Sequence, residues 1–209
     1  MVHAGTFRDL WLGDYWLVGG WKYVIAGFNY YQGWSRITAN HMVILQVPAN
    51  ASTNAKGVFN SAAVSNMNTS QAFQYAHGTG TTMFKNVFGI EPLQIWQDTV
   101  TAYDTKGYPS QSQSIAFKAA LLTPGMLGAQ APVVVKSDVT QLNATMSSVA
   151  PLPLISADPK TRFAWGDFWM NHTSGPNSIG MYSGYYDSLR FVSPSVATTS
   201  YVLYATISG

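Results

Sequence analysis

The chain has 209 residues, of which 10% are charged and 14% are aromatic, and its formal net charge is +2. A typical soluble domain has roughly 25% charged residues, so Ser, Thr, Asn, Gln and Gly must supply most of the polar surface here. These values argue against a disordered chain, which needs high charge and low hydrophobicity, and against a basic footprint for nucleic acid.

The first predicted element is a β-hairpin near the N-terminus. Tyr15–Val18 and Trp21–Phe28 are rich in aromatic and β-branched residues, and Gly19-Gly20 between them is typical of a two-residue turn. Lys22 is the only charge in the second arm, so both faces of that strand are expected to be buried. His41–Val47 is almost entirely apolar and predicts a central third strand.

Two short helices are predicted next. Apolar residues share one helical face over Val64–His77, where Ser70 is a possible N-cap and Gly78 is the expected end. The second helix, Thr81–Phe88, is expected to stop at Gly89.

The rest of the chain is predicted to consist mainly of strands and loops. A strand is predicted at Pro92–Tyr103, and residues 114–122 are ambiguous between strand and helix. A helical turn is predicted at 123–127, followed by a surface excursion at 128–150 and an extended edge segment at 152–155. Four further strands are predicted at Arg162–Met170, Ser178–Met181, Asp187–Ser193 and Tyr201–Ile207. No repeat or linker divides the chain, so a single domain over 1–209 is expected.

The sequence contains no recognisable catalytic or metal-binding motif. There are no cysteines, and His3, His41, His77 and His172 do not follow metal-ligand spacing. Two carboxylates such as Asp98 and Asp167 could meet in the fold, which a cell-wall hydrolase would need. We therefore expect no catalytic residue, no metal and no cofactor. The N-terminal residues do not resemble a signal peptide, and no apolar stretch predicts membrane insertion.

Aromatic residues are the most prominent feature of the segment 163–190. Trp and Tyr rings stack on sugars and also dominate protein–protein contacts, while alternate residues of a strand can simply fill a core. Phe163, Trp165 and Trp169 fit the core interpretation, whereas the tyrosines around Gly184 fit exposure. The candidate ligand- or partner-binding residues are Trp169, Asn171, Tyr182, Tyr185, Tyr186, Asp187, Arg190, Tyr31 and Trp34.

Several motifs occur in an order and spacing that resembles a domain family of structural proteins from phages and prophages of Gram-positive bacteria. They are AGTFRDLWLGDYW, WKYVIAGFNYY, NHMVILQVP, MFKNVFG and PLPLISADPK, and together with the closing block they span nearly the whole chain. The final strand of the family usually carries an Arg-Pro pair, whereas this chain has Thr-Thr-Ser-Tyr-Val-Leu-Tyr there.

The resemblance implies an α+β, C-type-lectin-like fold, similar to that of phage tropism determinants. Such a fold has a twisted antiparallel sheet, two short helices and long loops, and its C-terminal loops bind partners. The motifs of calcium-dependent lectins, a Pro-flanked Glu/Asn pair and a Trp-Asn-Asp triplet, are absent from the sequence. Sugar binding through calcium is therefore not expected.

The resemblance also implies a non-enzymatic virion protein that is made in the cytoplasm of a bacterial host. Two roles remain open. One is surface decoration or binding of a host receptor, with a cell-wall saccharide as ligand. The other is a purely structural capsid, neck or tail subunit that contacts other virion proteins. In either role we expect a homo-oligomer, and we expect neither nucleic acid as a partner nor membrane insertion.

Overall fold

A central antiparallel sheet of five strands organises the computed structural model, which describes residues 9–32, 37–50, 56–128, 150–196 and 199–208. Its strands are β1 (Tyr15–Val18), β2 (Trp21–Phe28), β3 (Met42–Pro48), β6 (Ala119–Leu121) and β10 (Leu203–Ile207). Their order across the sheet is β1-β2-β3-β10-β6. The last strand of the chain therefore lies beside β3, next to the N-terminal hairpin.

The predicted N-terminal hairpin is confirmed. β1 pairs with β2 from Tyr15 opposite Val24 to Val18 opposite Trp21. Gly19 and Gly20 have φ values of 58° and 81°. Positive φ at both central residues is the requirement of a type I′ turn, which glycine meets without strain.

Two smaller antiparallel sheets complete the β structure. One is the hairpin of β4 (Ile95–Tyr103) and β5 (Pro109–Phe117), and the other contains β7 (Phe168–Gly175), β8 (Ser178–Ser183) and β9 (Ser188–Val192). Backbone hydrogen bonds link the start of β7 to the chain just before β10: Trp169 N–H donates to Ser200 O at 3.0 Å. The fold is thus α+β with mostly antiparallel sheets, as predicted.

The two predicted helices form one continuous helical stretch. The α-helices α1 (Gln71–Tyr75) and α2 (Thr81–Phe88) are joined by a π-helical turn at Ala76–Gly80. The predicted end at Gly78 is therefore wrong, because the wider π turn carries the backbone through both of its glycines. The N-cap prediction is confirmed, since the Ser70 side chain accepts a hydrogen bond from Phe73 N. Gly89 ends α2 with a φ of 71°, also as predicted.

Two other predictions need correction. Residues 152–155 are not an extended edge, because Pro153 begins a short helix, α3 (Pro153–Ala157), where its fixed φ favours the first turn. The strand predicted at Arg162–Met170 starts only at Phe168, since a 3₁₀ helix occupies Pro159–Trp165. The short helical turn at 125–127 is confirmed. The excursion predicted at 128–150 falls almost entirely outside the described residues.

Hydrophobic clusters cover both faces of the central sheet. On one face Tyr23, Ile25 and Ile44 pack in a cluster with residues of α1 and α2, including Phe73 and Phe84. On the other face the cluster contains residues of β3, α3 and β7, among them Leu45, Leu154, Ile155, Phe168 and Met170. Strands β3, β6, β7 and β10 are therefore buried on both sides, which removes the polar–apolar alternation of a half-exposed strand.

Candidate functional site

The most exposed aromatic group among the described residues lies in the turn between β8 and β9. Ser183 pairs with Ser188, so the four residues between them, 184–187, form the turn. Asp187 has a φ of 47°, an uncommon value for a residue other than glycine. Gly184 N–H donates to Gly166 O at 3.2 Å, which fixes the turn to the segment before β7.

Tyr185 and Tyr186 project from this turn into solvent. Their side chains are 87% and 61% exposed, and their rings meet edge to face with centroids 4.7 Å apart. Arg190, on β9, places Cζ at 5.0 Å from the centroid of the Tyr186 ring. We call these three residues the tyrosine turn. It combines two aromatic faces with a cation that lies over one of them.

A buried hydroxyl supports the tyrosine turn from below. Tyr182 is 1% exposed, and its hydroxyl donates a hydrogen bond to the Asp187 carboxylate. The neighbouring Ser183 hydroxyl donates to Asp167 Oδ1 at 2.8 Å. Both bonds tie the base of the turn to side chains that the three-stranded sheet holds in place. The turn therefore presents its rings from a supported base, which lowers the entropy lost when a ligand binds.

The groups of the tyrosine turn are of the kinds that recognise ligands. Aromatic faces stack on the C–H faces of sugars or on apolar protein groups, and the guanidinium of Arg190 can donate several hydrogen bonds to hydroxyl or carboxylate oxygens. Asp187 and Asp167 add acceptors near the base of the turn. These groups suit a polyhydroxylated or mixed polar and apolar ligand.

Four of the predicted binding residues do not reach the surface, which corrects the sequence interpretation. Trp169 and Asn171 are 0% exposed on β7, and Tyr182 lies on β8 with its ring in the core. Tyr31 is also buried, and its hydroxyl is hydrogen-bonded to Tyr204. Because β7 is packed on both faces, no alternate set of its side chains points to solvent. Trp34 lies outside the described residues.

Trp169 shows how thoroughly these aromatics belong to the core. Its indole Nε1–H donates to Gly57 O at 2.8 Å, and its ring meets Phe59 edge to face at 5.5 Å. Burial also raises the pKa of the Tyr31 and Tyr204 hydroxyls well above their ordinary value. These groups stay uncharged at neutral pH and hold the sheet together.

Sequence reasoning missed a second exposed apolar group, at the opposite end of the chain. Trp11 is 72% exposed and Leu17 is 63% exposed, and three further side chains beside them are more than one third exposed. We call this set the β1 patch, which consists of Trp11, Leu12, Tyr15, Leu17 and Val18. The available signal was the sequence YWLV, an edge-strand candidate without any polar residue.

The His, Asp and Glu side chains of the described ranges were the other candidates for a functional site. It contains no group of three or more His, Asp or Glu side chains close enough to hold a metal ion. Glu91 is engaged by Lys85 at 2.9 Å and by Lys118 at 2.8 Å, which lowers the pKa of its carboxyl. The side chain of Asp98 lies outside the described residues, so its pairing with Asp167 stays a prediction.

Within the described ranges, no helix has the length and apolarity needed to cross a lipid bilayer. Comparison with family models, with curated proteins and with solved structures found no match to this chain.

Proposed function

We propose that this protein is a non-enzymatic component of a bacteriophage virion whose tyrosine turn binds a saccharide of the host cell wall. The observation that carries the proposal is the exposed pair Tyr185 and Tyr186 with Arg190 beside it. The motif resemblance to phage structural proteins supplies the virion context. The phage role and the location in the virion are the parts of the proposal that depend on this resemblance.

The finer fold assignment, a C-type-lectin-like domain, belongs to the same proposal. Two features support it. The last strand, β10, pairs with β3 beside the N-terminal hairpin. A separate small sheet, β7-β8-β9, carries the exposed turn. In this arrangement the long connection between the first and last strands displays the binding residues.

Binding to purified cell walls of candidate Gram-positive hosts tests the saccharide proposal. Removing one stacking ring should weaken binding by about 5- to 10-fold, since an aromatic contact contributes roughly 1 kcal/mol. We expect this loss for Tyr185→Ala and for Tyr186→Ala, with unchanged thermal stability. Tyr108→Ala is the matched control, because Tyr108 is also partly exposed but lies at the β4–β5 turn. Equal binding by all three variants would contradict the proposal.

A second candidate function, a structural subunit that mainly contacts other virion proteins, is favoured by the β1 patch. Five exposed apolar side chains within the eight residues from Trp11 to Val18 exceed what scattered surface residues usually present. A pull-down of virion components with the wild-type protein and with Trp11→Lys, a position that is 72% exposed and outside β1, separates the two functions. Loss of virion proteins with retained cell-wall binding would assign structural contacts to the β1 patch.

A further inference from the structure

The two edges of the central sheet differ in how they are protected. At one edge, β6 is fully buried, with Ala119, Ala120 and Leu121 between 0% and 1% exposed. At the other edge, β1 has β2 on one side and no further strand on its other side among the strands that the structure describes. Tyr15, Leu17 and Val18 of β1 are all exposed. The β1 edge is therefore open while the β6 edge is covered.

The backbone of β1 is arranged to accept another strand. The Gly19-Gly20 turn closes on the pair of Val18 and Trp21, and hydrogen-bonded and non-hydrogen-bonded pairs alternate along an antiparallel ladder. This alternation directs the N–H and C=O groups of Tyr15 and Leu17 away from β2. Because these residues are two apart, their side chains also share one face of the sheet.

Nothing in the sequence of β1 discourages pairing. Natural edge strands are commonly blocked by a charged residue, a proline or a bulge, and Tyr15–Val18 contains none of these. The β1 patch exposes on the order of 500 Å² of mostly apolar surface, given that a large aromatic side chain can bury about 150–250 Å².

We propose that the β1 edge is the contact between two copies of this chain, with β1 paired antiparallel to β1 of the second copy. A twofold axis at Trp16 sets Tyr15 opposite Leu17 of the second copy, and the reverse. In this register the outward N–H and C=O groups of the two strands face each other. The register also forms two Tyr–Leu cross-strand pairs, a favourable combination. The proposal goes beyond the saccharide function and does not depend on what the tyrosine turn binds.

A second copy fits this edge better than an unrelated strand for two reasons. The patch is self-complementary, because its hydrogen-bonding residues exchange places under a twofold rotation, as an isologous contact requires. Pairing also brings Tyr15 of each copy against Leu17 of the other on one face of the joined sheet, so exposed apolar side chains are covered in both copies. The strand is neutral, so no like charges meet across the axis.

Molar mass in solution gives the first test. Light scattering coupled to size exclusion should give twice the 22.8 kDa chain mass at about 100 µM and a lower mass on dilution, because small interfaces dissociate in the micromolar range. Leu17→Lys should raise the dissociation constant at least about 10-fold by burying an unpaired charge. Tyr185→Lys, at a position that is more exposed than Leu17 and far from β1 along the chain, should leave the dimer intact.

The register gives a second test, by disulfide cross-linking. Because the chain contains no cysteine, only the introduced cysteines can form the cross-link. Mixing Tyr15→Cys protein with Leu17→Cys protein under mild oxidation should give mainly the mixed disulfide. Each variant alone should cross-link poorly, because Tyr15 is opposite Leu17 and not opposite itself. Both positions are exposed, so folding should be unaffected.

A monomeric wild-type protein at all concentrations, or a dimer that Leu17→Lys does not weaken, would overturn the proposal. So would self-cross-linking of the single variants in preference to the mixed product. Failure of cell-wall binding with an intact, Leu17-dependent dimer would instead count only against the saccharide function.

Discussion

The β7–β8 ladder and the turn that follows it are both rich in large aromatic residues, but their surroundings are opposite. In the ladder, Phe168, Trp169 and Tyr182 are at most 1% exposed. In the turn, only three residues after Tyr182, Tyr185 is almost completely exposed. The difference arises because the hydrophobic clusters cover both faces of the ladder, while the turn extends past the end of the sheet. Aromatic content alone therefore cannot identify a binding surface, whereas position at the end of a hairpin can.

The largest expected effect comes from removing the ladder's central side chain. Trp169→Ala should lower the free energy of unfolding by about 3–5 kcal/mol, because it leaves a large cavity and an unpaired Gly57 carbonyl. Urea denaturation of the purified protein measures this loss. Trp96→Ala is a suitable control, since Trp96 is 37% exposed and should cost much less. A loss below about 1 kcal/mol for Trp169→Ala would contradict its place in the core.

The next effect is a pH dependence that originates in the ladder. His172 is 2% exposed on β7, neither of its ring nitrogens has a hydrogen-bond partner among the described residues, and burial lowers its pKa from 6.5 to about 4. The unfolded chain therefore takes up a proton as the pH falls below 6.5, while the folded chain stays neutral until about pH 4. The free energy of unfolding should therefore be highest above pH 6.5 and should decrease by up to about 3 kcal/mol as the pH falls from 6.5 to about 4.

Chemical denaturation at a series of pH values tests this effect by comparison with His172→Leu. Burial also lowers the pKa of His41 and His77, which contribute in the same direction. The difference between wild type and variant isolates His172 because the other histidines are common to both. Parallel stability curves from pH 6.5 to 4 would show that His172 is not held neutral by the fold.

A smaller effect is expected at the junction between ladder and turn. Tyr182→Phe keeps the buried ring and removes only the hydroxyl that donates to Asp187. The loss should be about 1 kcal/mol, the typical net contribution of one hydrogen bond. Thermal unfolding measures it, and cell-wall binding should weaken slightly because the turn loses a support. Tyr204→Phe, in the middle of β10, gives a comparison in which only stability should change.

The smallest effect on stability belongs to the tyrosine turn itself. Tyr185→Ala should change the free energy of unfolding by no more than about 0.5 kcal/mol, as is usual for exposed positions without a structural role. The same variant is expected to weaken cell-wall binding by about 5- to 10-fold. A marked destabilisation would show that Tyr185 packs against the protein and would remove the contrast between turn and ladder.

The parts of the fold that follow from local chemistry could be predicted from the sequence. Gly19-Gly20 between two aromatic strands allows little other than a tight hairpin, and Ser70 and Gly89 mark helix ends by their capping preferences. Of the tyrosines around Gly184, Tyr185 and Tyr186 are exposed as expected, whereas Tyr182 is buried. In each case a few adjacent residues determine the conformation.

The rest depends on contacts between distant segments. Strand β7 has no polar–apolar alternation because β7 is buried on both faces, so the sequence could not show that Trp169 and Asn171, which share one face of the strand, are both buried. Pro153 fits an extended segment as well as the first turn of a helix, and packing of α3 against β2 decides between them. The exposure of β1 is also a tertiary property, since an apolar strand is usually buried.

The π-helical turn at Ala76–Gly80 determines the direction in which the side chains of α2 point around the helix axis. Each residue of an α-helix advances by about 100° around the axis, and a π turn holds one residue more than an α turn. Deleting Gly78 would allow one uninterrupted α-helix and would rotate α2 by about that angle. Phe84, which now packs against Tyr23 at 5.4 Å, would turn toward solvent. The length of this one turn thus determines which side chains of α2 face the core, and a one-residue deletion would change that set.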